Sequence, residues 1–191
     1  VGVKSGLKNI KPRLKQNDLI IGINSSGLHS NGFSLIRKII KEKKVNLNKK
    51  IDKNKTIGQL LLKPTEIYVD PILELFSKKL IKSCAHITGG GITENLPRSL
   101  TNNVKAQIDL SKFNLSKIFK WLHGYGITQS EMLRTFNCGY GMIVILEKSK
   151  LNKFENLIKK HKLSYDNIGV LLNSKKSKKR IKFIGKLNFN D

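Results

Sequence analysis

One short stretch, SSGLHSNG at residues 25–32, combines residue types that could bind an anion or carry a proton. It follows the apolar run DLIIGIN and precedes FSLIRKII, whose apolar residues have helical spacing. A junction between a strand and a helix presents backbone N–H groups and the positive end of the helix dipole, and both attract anions. The hydroxyl groups of Ser25, Ser26 and Ser30 would add donors. The stretch is therefore a candidate phosphate-binding loop.

Two interpretations of this loop stay open on the residues alone. In the functional one, His29 holds a phosphate oxygen or moves a proton, while Gly27 and Gly32 let a ligand approach the backbone. In the structural one, Ser30 or Asn31 caps the following helix and the glycines only serve the turn.

A second stretch repeats the pattern of strand, glycines and helix. In HITGGGITENLPR, residues 86–98, Thr88 is followed by three glycines, Gly89, Gly90 and Gly91. Three consecutive glycines cost backbone entropy, so a ligand or another domain close to the backbone is expected, with a flexible turn as the alternative. His86 lies in an apolar run and is predicted to be a core histidine.

A third candidate turn lies in SEMLRTFNCGYGM, residues 130–142, between a helix and an apolar strand. It contains Asn137, a candidate ligand contact, and Cys138, which has no activating base beside it and is not predicted to be a nucleophile. The two cysteines, Cys84 and Cys138, are too few for a disulfide framework and lack metal-ligand spacing. Free thiols in a reducing cytosol are expected.

Hydrophobic periodicity predicts the elements that position these turns. Strands and helices alternate along the chain, which predicts an α/β (α+β) fold: a mixed β-sheet with helices packed on it in layers. The last two strands are expected to form a closing pair joined by a lysine-rich loop. Strands are predicted at 18–24, 84–88, 104–110, 141–147, 165–172 and 179–187; helices are predicted at 32–43, from Pro71 to residue 80, after the triple glycine, and at 115–126, 128–136 and 151–162.

The composition excludes several functions. The net charge is +24, but 32 of the 37 basic residues are lysine and aromatic residues are 7%. Nucleic-acid readers rely on arginine and aromatic platforms, so the charge indicates a chain-wide bias and no specific nucleic-acid partner. A positive field would still attract an anionic substrate. No apolar run of about 18 residues exists, so no membrane partner is predicted and a cytoplasmic location is expected.

Taken in order, several motifs resemble a known family. DLIIGINSSGLHSNGFSLIRKII, LLKPTEIYVDPILEL, HITGGGITENLPRSL, EMLRTFNCGYGMIVIL and YDNIGVL are similar to the C-terminal half of the phosphoribosylformylglycinamidine cyclo-ligases, or aminoimidazole ribonucleotide synthetases. HSNG and the triple glycine are shared with selenophosphate synthetase, thiamine-monophosphate kinase and other members of a superfamily. ENLPR together with EMLRTFNCGYGM is more specific to the cyclo-ligases.

The resemblance implies an ATP-dependent ligase of de novo purine biosynthesis, active as a homodimer, with ATP and Mg²⁺ as cofactors. Its substrate would be formylglycinamidine ribonucleotide. Family members bind ATP and Mg²⁺ mainly through an N-terminal domain, and no metal ligand is predicted in this chain. The chain opens with VGV and no start methionine. Residues 1–15 are therefore interpreted as the end of that domain and a linker, and 16–191 as a C-terminal α/β domain, a fragment expected to be inactive alone.

Carried onto this sequence, the resemblance implies a substrate site with three walls. Two other functions remain as alternatives: a sister enzyme of the selenophosphate synthetase or thiamine-phosphate kinase type, and a stand-alone domain that binds phosphometabolites. The predicted catalytic residue is His29; the predicted substrate- and phosphate-binding residues are Ser25, Ser26, Gly27, Ser30, Asn31 and Gly32, then Thr88, Gly89, Gly90 and Gly91, then Asn137.

Overall fold

The computed structural model describes residues 12–174 and 179–190, and within them strands and helices alternate as predicted. The predicted boundary between residues 1–15 and 16–191 stays a prediction, because residues 1–11 lie outside the described ranges. The strands are β1 (Leu19–Asn24), β2 (Lys50–Asp52), β3 (Lys55–Thr56), β4 (Ser83–His86), β5 (Val104–Asp109), β6 (Tyr140–Leu146), β7 (Tyr165–Asn173) and β8 (Ile181–Ile184); the helices are α1 (Phe33–Glu42), α2 (Ile57–Leu61), α3 (Val69–Ser77), α4 (Gly91–Arg98), α5 (Lys117–Gly124), α6 (Gln129–Thr135) and α7 (Leu151–Lys160).

Six strands form one mixed sheet in the order β4-β6-β1-β7-β5-β8, which confirms the predicted fold class. Neighbouring strands are antiparallel except β5 and β8, which are parallel. The prediction that the last two strands pair with each other is wrong, because β5 lies between β7 and β8 and pairs with both. Their connecting loop lies partly outside the described residues, at 175–178.

Burial explains the two kinds of strand sequence. All residues of β6, and all of β1 except Asn24, are buried, since helices cover both faces of the sheet there. A strand buried on both faces needs apolar residues at every position, which accounts for the runs LIIGIN and YGMIVIL. Strand β5 alternates buried and half-buried residues instead, as its alternating sequence VKAQID predicts.

Helices form layers on both sides of the sheet. On one side α1, α4, α5 and α6 share a core with Ile20 of β1 and Ile143 of β6. On the other side α3 and α7 pack on Ile21 and Val144. Helix α3 begins two residues before Pro71, which therefore lies in the first turn as predicted.

The lysine-rich segment at 41–55 contains structure that the sequence analysis missed. Strands β2 and β3 form a small two-stranded sheet there. Helix α2 follows directly, and Thr56 and Gln59 form a capping box at its start. Within the described ranges, no helix combines the length and apolar character that a membrane span needs.

Candidate functional site

The sheet topology brings the three candidate turns together. Strands β1 and β4 both run antiparallel to β6, with Asn24 opposite Tyr140 and His86 opposite Met142. Strands β1 and β4 therefore end at the same edge of the sheet, on either side of the start of β6. We call residues 25–32, 88–91 and 137–139 at this edge the loop edge.

The first and third loops are tied together by Asn137, whose side chain is buried. Its Nδ2 donates to the Gly27 carbonyl at 2.8 Å, and its Oδ1 accepts from the Gly139 N–H at 3.0 Å. The Ser25 N–H donates to the Gly139 carbonyl at 2.7 Å, and the Ser25 hydroxyl donates to the Gly27 carbonyl at 2.8 Å. Asn137 and Ser25 thus shape the loop edge, because their polar atoms are used within it.

The ring of His29 joins the first loop to the segment before α3. Its Nε2 accepts from the backbone N–H of Ser26 at 3.1 Å and from that of Glu66 at 3.3 Å. The Ser26 hydroxyl, which has one proton, can donate to Nε2 at 3.0 Å or to the Pro64 carbonyl at 2.5 Å. Because backbone N–H groups can only donate, they place a lone pair on Nε2 and the ring proton on Nδ1.

His29 is uncharged near neutral pH. Burial, followed by the nearby positive charges of His86 and Lys63, lowers the pKa of His29 from 6.5 to about 4. Its Nδ1 is buried and has no hydrogen-bond partner among residues 12–174 and 179–190; the same holds for Oδ1 of Asn24. An unpaired buried donor costs about 1–3 kcal/mol, so the Nδ1–H is a group that a ligand oxygen would satisfy.

The start of α1 agrees with one part of the structural interpretation and contradicts another. Gly32 does serve the turn, because its φ is positive and a Cβ on it would meet the Phe136 ring. The prediction that Ser30 or Asn31 caps this helix is wrong: the N-cap is Gly32, with φ +71°, and no side chain caps the helix. The Asn31 side chain donates to the Leu28 carbonyl at 3.2 Å instead. Ser30 is exposed, and His29 and Ser30 both have positive φ. The first N–H groups of α1 are therefore free of a side-chain cap, as anion-binding helix ends are.

The three glycines of the second loop have three different environments. A Cβ on Gly91 would lie 2.2 Å from the Leu133 carbonyl oxygen, so glycine lets α4 approach α6. A Cβ on Gly90, where φ is +91°, would lie 2.5 Å from Oε2 of Glu94. A Cβ on Gly89 would have nothing within 4 Å. Of the three, only Gly89 faces open space. The close approach to the backbone that three glycines predict is therefore made, at Gly90 and Gly91, by other parts of this chain.

Asn95 holds the second loop, a role that the sequence analysis missed. Its side chain is buried, and its Nδ2 lies 2.8 Å from the Gly91 carbonyl, 3.1 Å from that of Gly89 and 3.4 Å from that of Thr88. The spacing from Gly91 to Asn95 is i, i+4, so the sequence did contain a local signal for this contact.

Tyr68 is a second residue that the sequence analysis missed. Its hydroxyl donates to the Asn24 carbonyl at 2.7 Å. Its ring centroid lies 5.9 Å from that of His29 and 6.3 Å from that of His86. His86 is exposed, so the prediction of a core histidine is wrong. It is the last residue of β4, at the loop edge. Gly141 makes room here, since a Cβ on it would lie 2.2 Å from the Tyr68 hydroxyl oxygen.

Neither a thiol nucleophile nor a metal cluster is found in the parts of the chain that the structure describes. Cys138 is buried and donates to the Met132 carbonyl at 3.4 Å, and burial raises the pKa of its thiol. No group of three or more His, Cys, Asp and Glu side chains in these parts could hold a metal ion. Backbone N–H groups, hydroxyls and one neutral imidazole are suited to binding oxygen atoms of an anion.

Comparison with known proteins places this arrangement in a family. Two curated relatives, both named phosphoribosylformylglycinamidine cyclo-ligase, were found in Neisseria meningitidis and Ligilactobacillus salivarius. The first is 47% identical over 142 residues, 74% of this chain and 41% of the relative. The second is 40% identical over 171 residues, 87% of this chain and 50% of the relative. The chain thus spans half or less of the length of these relatives.

The fold also matches a solved structure, the thiamine-monophosphate kinase from Stenotrophomonas maltophilia K279a. The TM-score is 0.62 at 16% identity, covering 97% of this chain and 56% of the kinase, which is a likeness of fold alone. The model of the family described as AIR synthase related protein, C-terminal domain, matches residues 15–182. The predicted resemblance is therefore confirmed, and the chain belongs to the family of AIR synthase related proteins, of which it has the C-terminal domain.

Proposed function

We propose that this chain supplies the substrate-binding loops of a phosphoribosylformylglycinamidine cyclo-ligase. The reaction would be the ATP-dependent closure of formylglycinamidine ribonucleotide to aminoimidazole ribonucleotide, with release of ADP and phosphate, in purine biosynthesis. The names of relatives at 40–47% identity support it. The observation that carries the proposal is the buried, unpaired Nδ1–H of His29 beside an uncapped helix start.

This reaction needs bound polyanions more than it needs a protein nucleophile. The formyl oxygen attacks the γ-phosphorus of ATP, which releases ADP and leaves an O-phosphorylated carbon. The amidine nitrogen then attacks that carbon, the C–O bond breaks, phosphate leaves and the nitrogen loses a proton. Charge develops on oxygen at each stage, and fixed N–H donors stabilise such charge.

The loop edge divides into residues that hold the loops and residues available to a ligand. The polar atoms of Ser25, Ser26 and Asn137 are used in hydrogen bonds within the chain. The groups left unused are the buried Nδ1–H of His29, the exposed hydroxyl of Ser30 and the first N–H groups of α1, and the space beside Gly89 is open. In this proposal His29 donates a hydrogen bond as a neutral ring, and it neither carries a positive charge nor moves a proton.

Mg²⁺ does not fit the described residues, because their carboxylates form no cluster. We propose that Mg²⁺ and most of ATP are bound by another part of a longer protein, which forms a cytoplasmic homodimer. Mg²⁺ bound there would neutralise phosphate charge. No part of the role proposed for this chain depends on a metal bound to it.

To test the proposal, a chimera is made in which this chain is joined to the part of the Neisseria meningitidis relative that lies outside the match. The chimera is incubated with ATP and formylglycinamidine ribonucleotide, and formation of ADP and aminoimidazole ribonucleotide is measured. Activity is expected. A folded chimera that instead phosphorylates thiamine monophosphate, or makes selenophosphate, would replace the proposal with a sister enzyme. Binding of formylglycinamidine ribonucleotide without turnover would favour a phosphometabolite-binding domain.

Two variants of the chimera test the role of His29. In His29→Gln the amide oxygen can replace Nε2 as acceptor, but the Nδ1 donor is lost, so kcat/KM is expected to fall about 10- to 100-fold. The matched control is His86→Gln, at the same edge but exposed, which should stay within about twofold. Equal kcat/KM in His29→Gln and the unmodified chimera would remove His29 from the site.

A further inference from the structure

Helix α3 has an apolar outer face. Val69, Leu73 and Phe76 are 60%, 59% and 40% exposed. Their spacing of i, i+4 and i+7 places them on one side of the helix. The opposite side, with Ile72 and Leu75, is buried against the sheet and α7. Apolar residues therefore occupy both the covered side and part of the exposed side of α3, beside the polar Asp70, Glu74 and Ser77.

The segment that leads into α3 extends this surface. Ile67 is 78% exposed and Leu62 is 80% exposed. Of the seven large apolar side chains exposed among the described residues, five lie between residues 62 and 76. Scattered exposed apolar residues are ordinary, but a concentration of them marks a surface that binds something. We call Leu62, Ile67, Val69, Leu73 and Phe76 the α3 face.

The α3 face is continuous with the loop edge. Between Leu62 and Val69 the chain makes three contacts with residues 24–29: the Pro64 carbonyl accepts from Ser26, the Glu66 N–H donates to His29, and the Tyr68 hydroxyl donates to Asn24. A body seated on the α3 face would therefore adjoin the first loop.

We propose that the α3 face docks a second domain, one corresponding to the part of the curated relatives that lies outside the match. The match covers 41% and 50% of their lengths, so these relatives contain as much chain again or more. A second copy of this chain fits less well, because two chains of net charge +24 repel each other. Docking at this position would also close the loop edge from one side. The inference does not require the proposed reaction.

Cysteine labelling tests this directly. Leu73→Cys is made in the 191-residue chain and in the chimera with the Neisseria meningitidis segment, and alkylation by iodoacetamide is followed by peptide mass spectrometry. The peptide readout separates residue 73 from Cys84 and Cys138. Labelling should be at least tenfold slower in the chimera. The control is Leu47→Cys, which is also exposed, at 39%, but outside the α3 face, and which should label at the same rate in both proteins.

Two results would overturn the proposal. Equal labelling of residue 73 in the chain and in a folded chimera would mean that the second domain docks elsewhere. Protection already present in the 191-residue chain, and increasing with its concentration, would mean that a second copy covers the face. A second chimera, with the Ligilactobacillus salivarius segment, repeats the comparison if the first does not fold. Labelling requires no turnover, so an inactive but protected chimera would contradict only the proposed function.

Discussion

The first and second loops of the edge have the same sequence pattern but different physical causes. In both, a strand ends, glycines turn the chain and a helix begins. At residues 88–91 the turn is explained within the chain, because Gly91 lets α4 approach α6 and Asn95 binds the loop carbonyls. At residues 25–32 Gly32 is likewise explained within the chain, by its positive φ and the adjacent Phe136 ring, but the contacts leave one buried donor unpaired, on His29. A glycine-rich turn therefore does not by itself indicate a ligand site, whereas a buried donor without a hydrogen-bond partner is a more specific sign of one.

The largest expected effect separates two neighbouring glycines. Gly91→Ala places a Cβ 2.2 Å from the Leu133 carbonyl oxygen at a residue with φ +56°, so the free energy of unfolding should fall by about 3–4 kcal/mol. Gly89→Ala meets nothing within 4 Å and should change it by less than about 1 kcal/mol. Urea denaturation of the two variants measures the difference. Similar losses in both would mean that the second loop is not shaped by packing against α6.

The next effect concerns pH and the first loop. The pKa of His29 is about 4 in the folded chain and 6.5 when unfolded, so the unfolded chain binds more protons between these pH values. Above pH 6.5 His29 is uncharged in both states, so it does not lower the free energy of unfolding there. As the pH falls towards 4 the free energy of unfolding decreases, by about 2 kcal/mol between pH 7 and 5.

The measurement is urea denaturation of the unmodified chain and of His29→Gln at pH 7, 6 and 5. The unmodified chain should lose about 2 kcal/mol more than the variant over this range. His86→Gln is the control and should keep most of the dependence, because burial is the main cause of the lowered pKa. Parallel curves for the chain and His29→Gln would show that the ring is not held neutral.

A smaller effect tests how each loop is held. Asn95→Ala removes a buried donor to the Gly89 and Gly91 carbonyls and should cost about 1–3 kcal/mol. Asn31→Ala removes one donor to Leu28 from a half-buried side chain and should cost about 0.5 kcal/mol. Thermal unfolding gives both values. The reverse order would mean that the first loop, and not the second, depends on its asparagine.

Most of the fold could be predicted from periodicity, for reasons visible in particular elements. Strands β1 and β6 are buried on both faces and have continuous apolar sequences, while β5 alternates. The separation of β7 from β8 could not be predicted, because β5, from far earlier in the chain, lies between them. Strands β2 and β3 could not be predicted, because lysines dominate the composition of their segment and leave no apolar alternation.

For the site, the sequence indicated the residue types and the turns, but not the contacts that define their roles. One of the two backbone N–H groups that place the proton of His29 belongs to Glu66, 37 residues away. The need for glycine at 91 depends on the Leu133 carbonyl of another helix. Such contacts exist only after tertiary packing, so no local pattern encodes them.

The smallest expected effect compares two serines of the first loop. The Ser25 hydroxyl donates to the Gly27 carbonyl, so Ser25→Ala should cost about 1 kcal/mol in unfolding free energy. The Ser30 hydroxyl is exposed, so Ser30→Ala should stay within about 0.5 kcal/mol. In the active chimera the order should reverse, with Ser30→Ala raising KM for formylglycinamidine ribonucleotide more than Ser25→Ala does. If Ser30→Ala changes neither stability nor KM, the ligand contacts of the first loop are limited to His29 and the backbone N–H groups of α1.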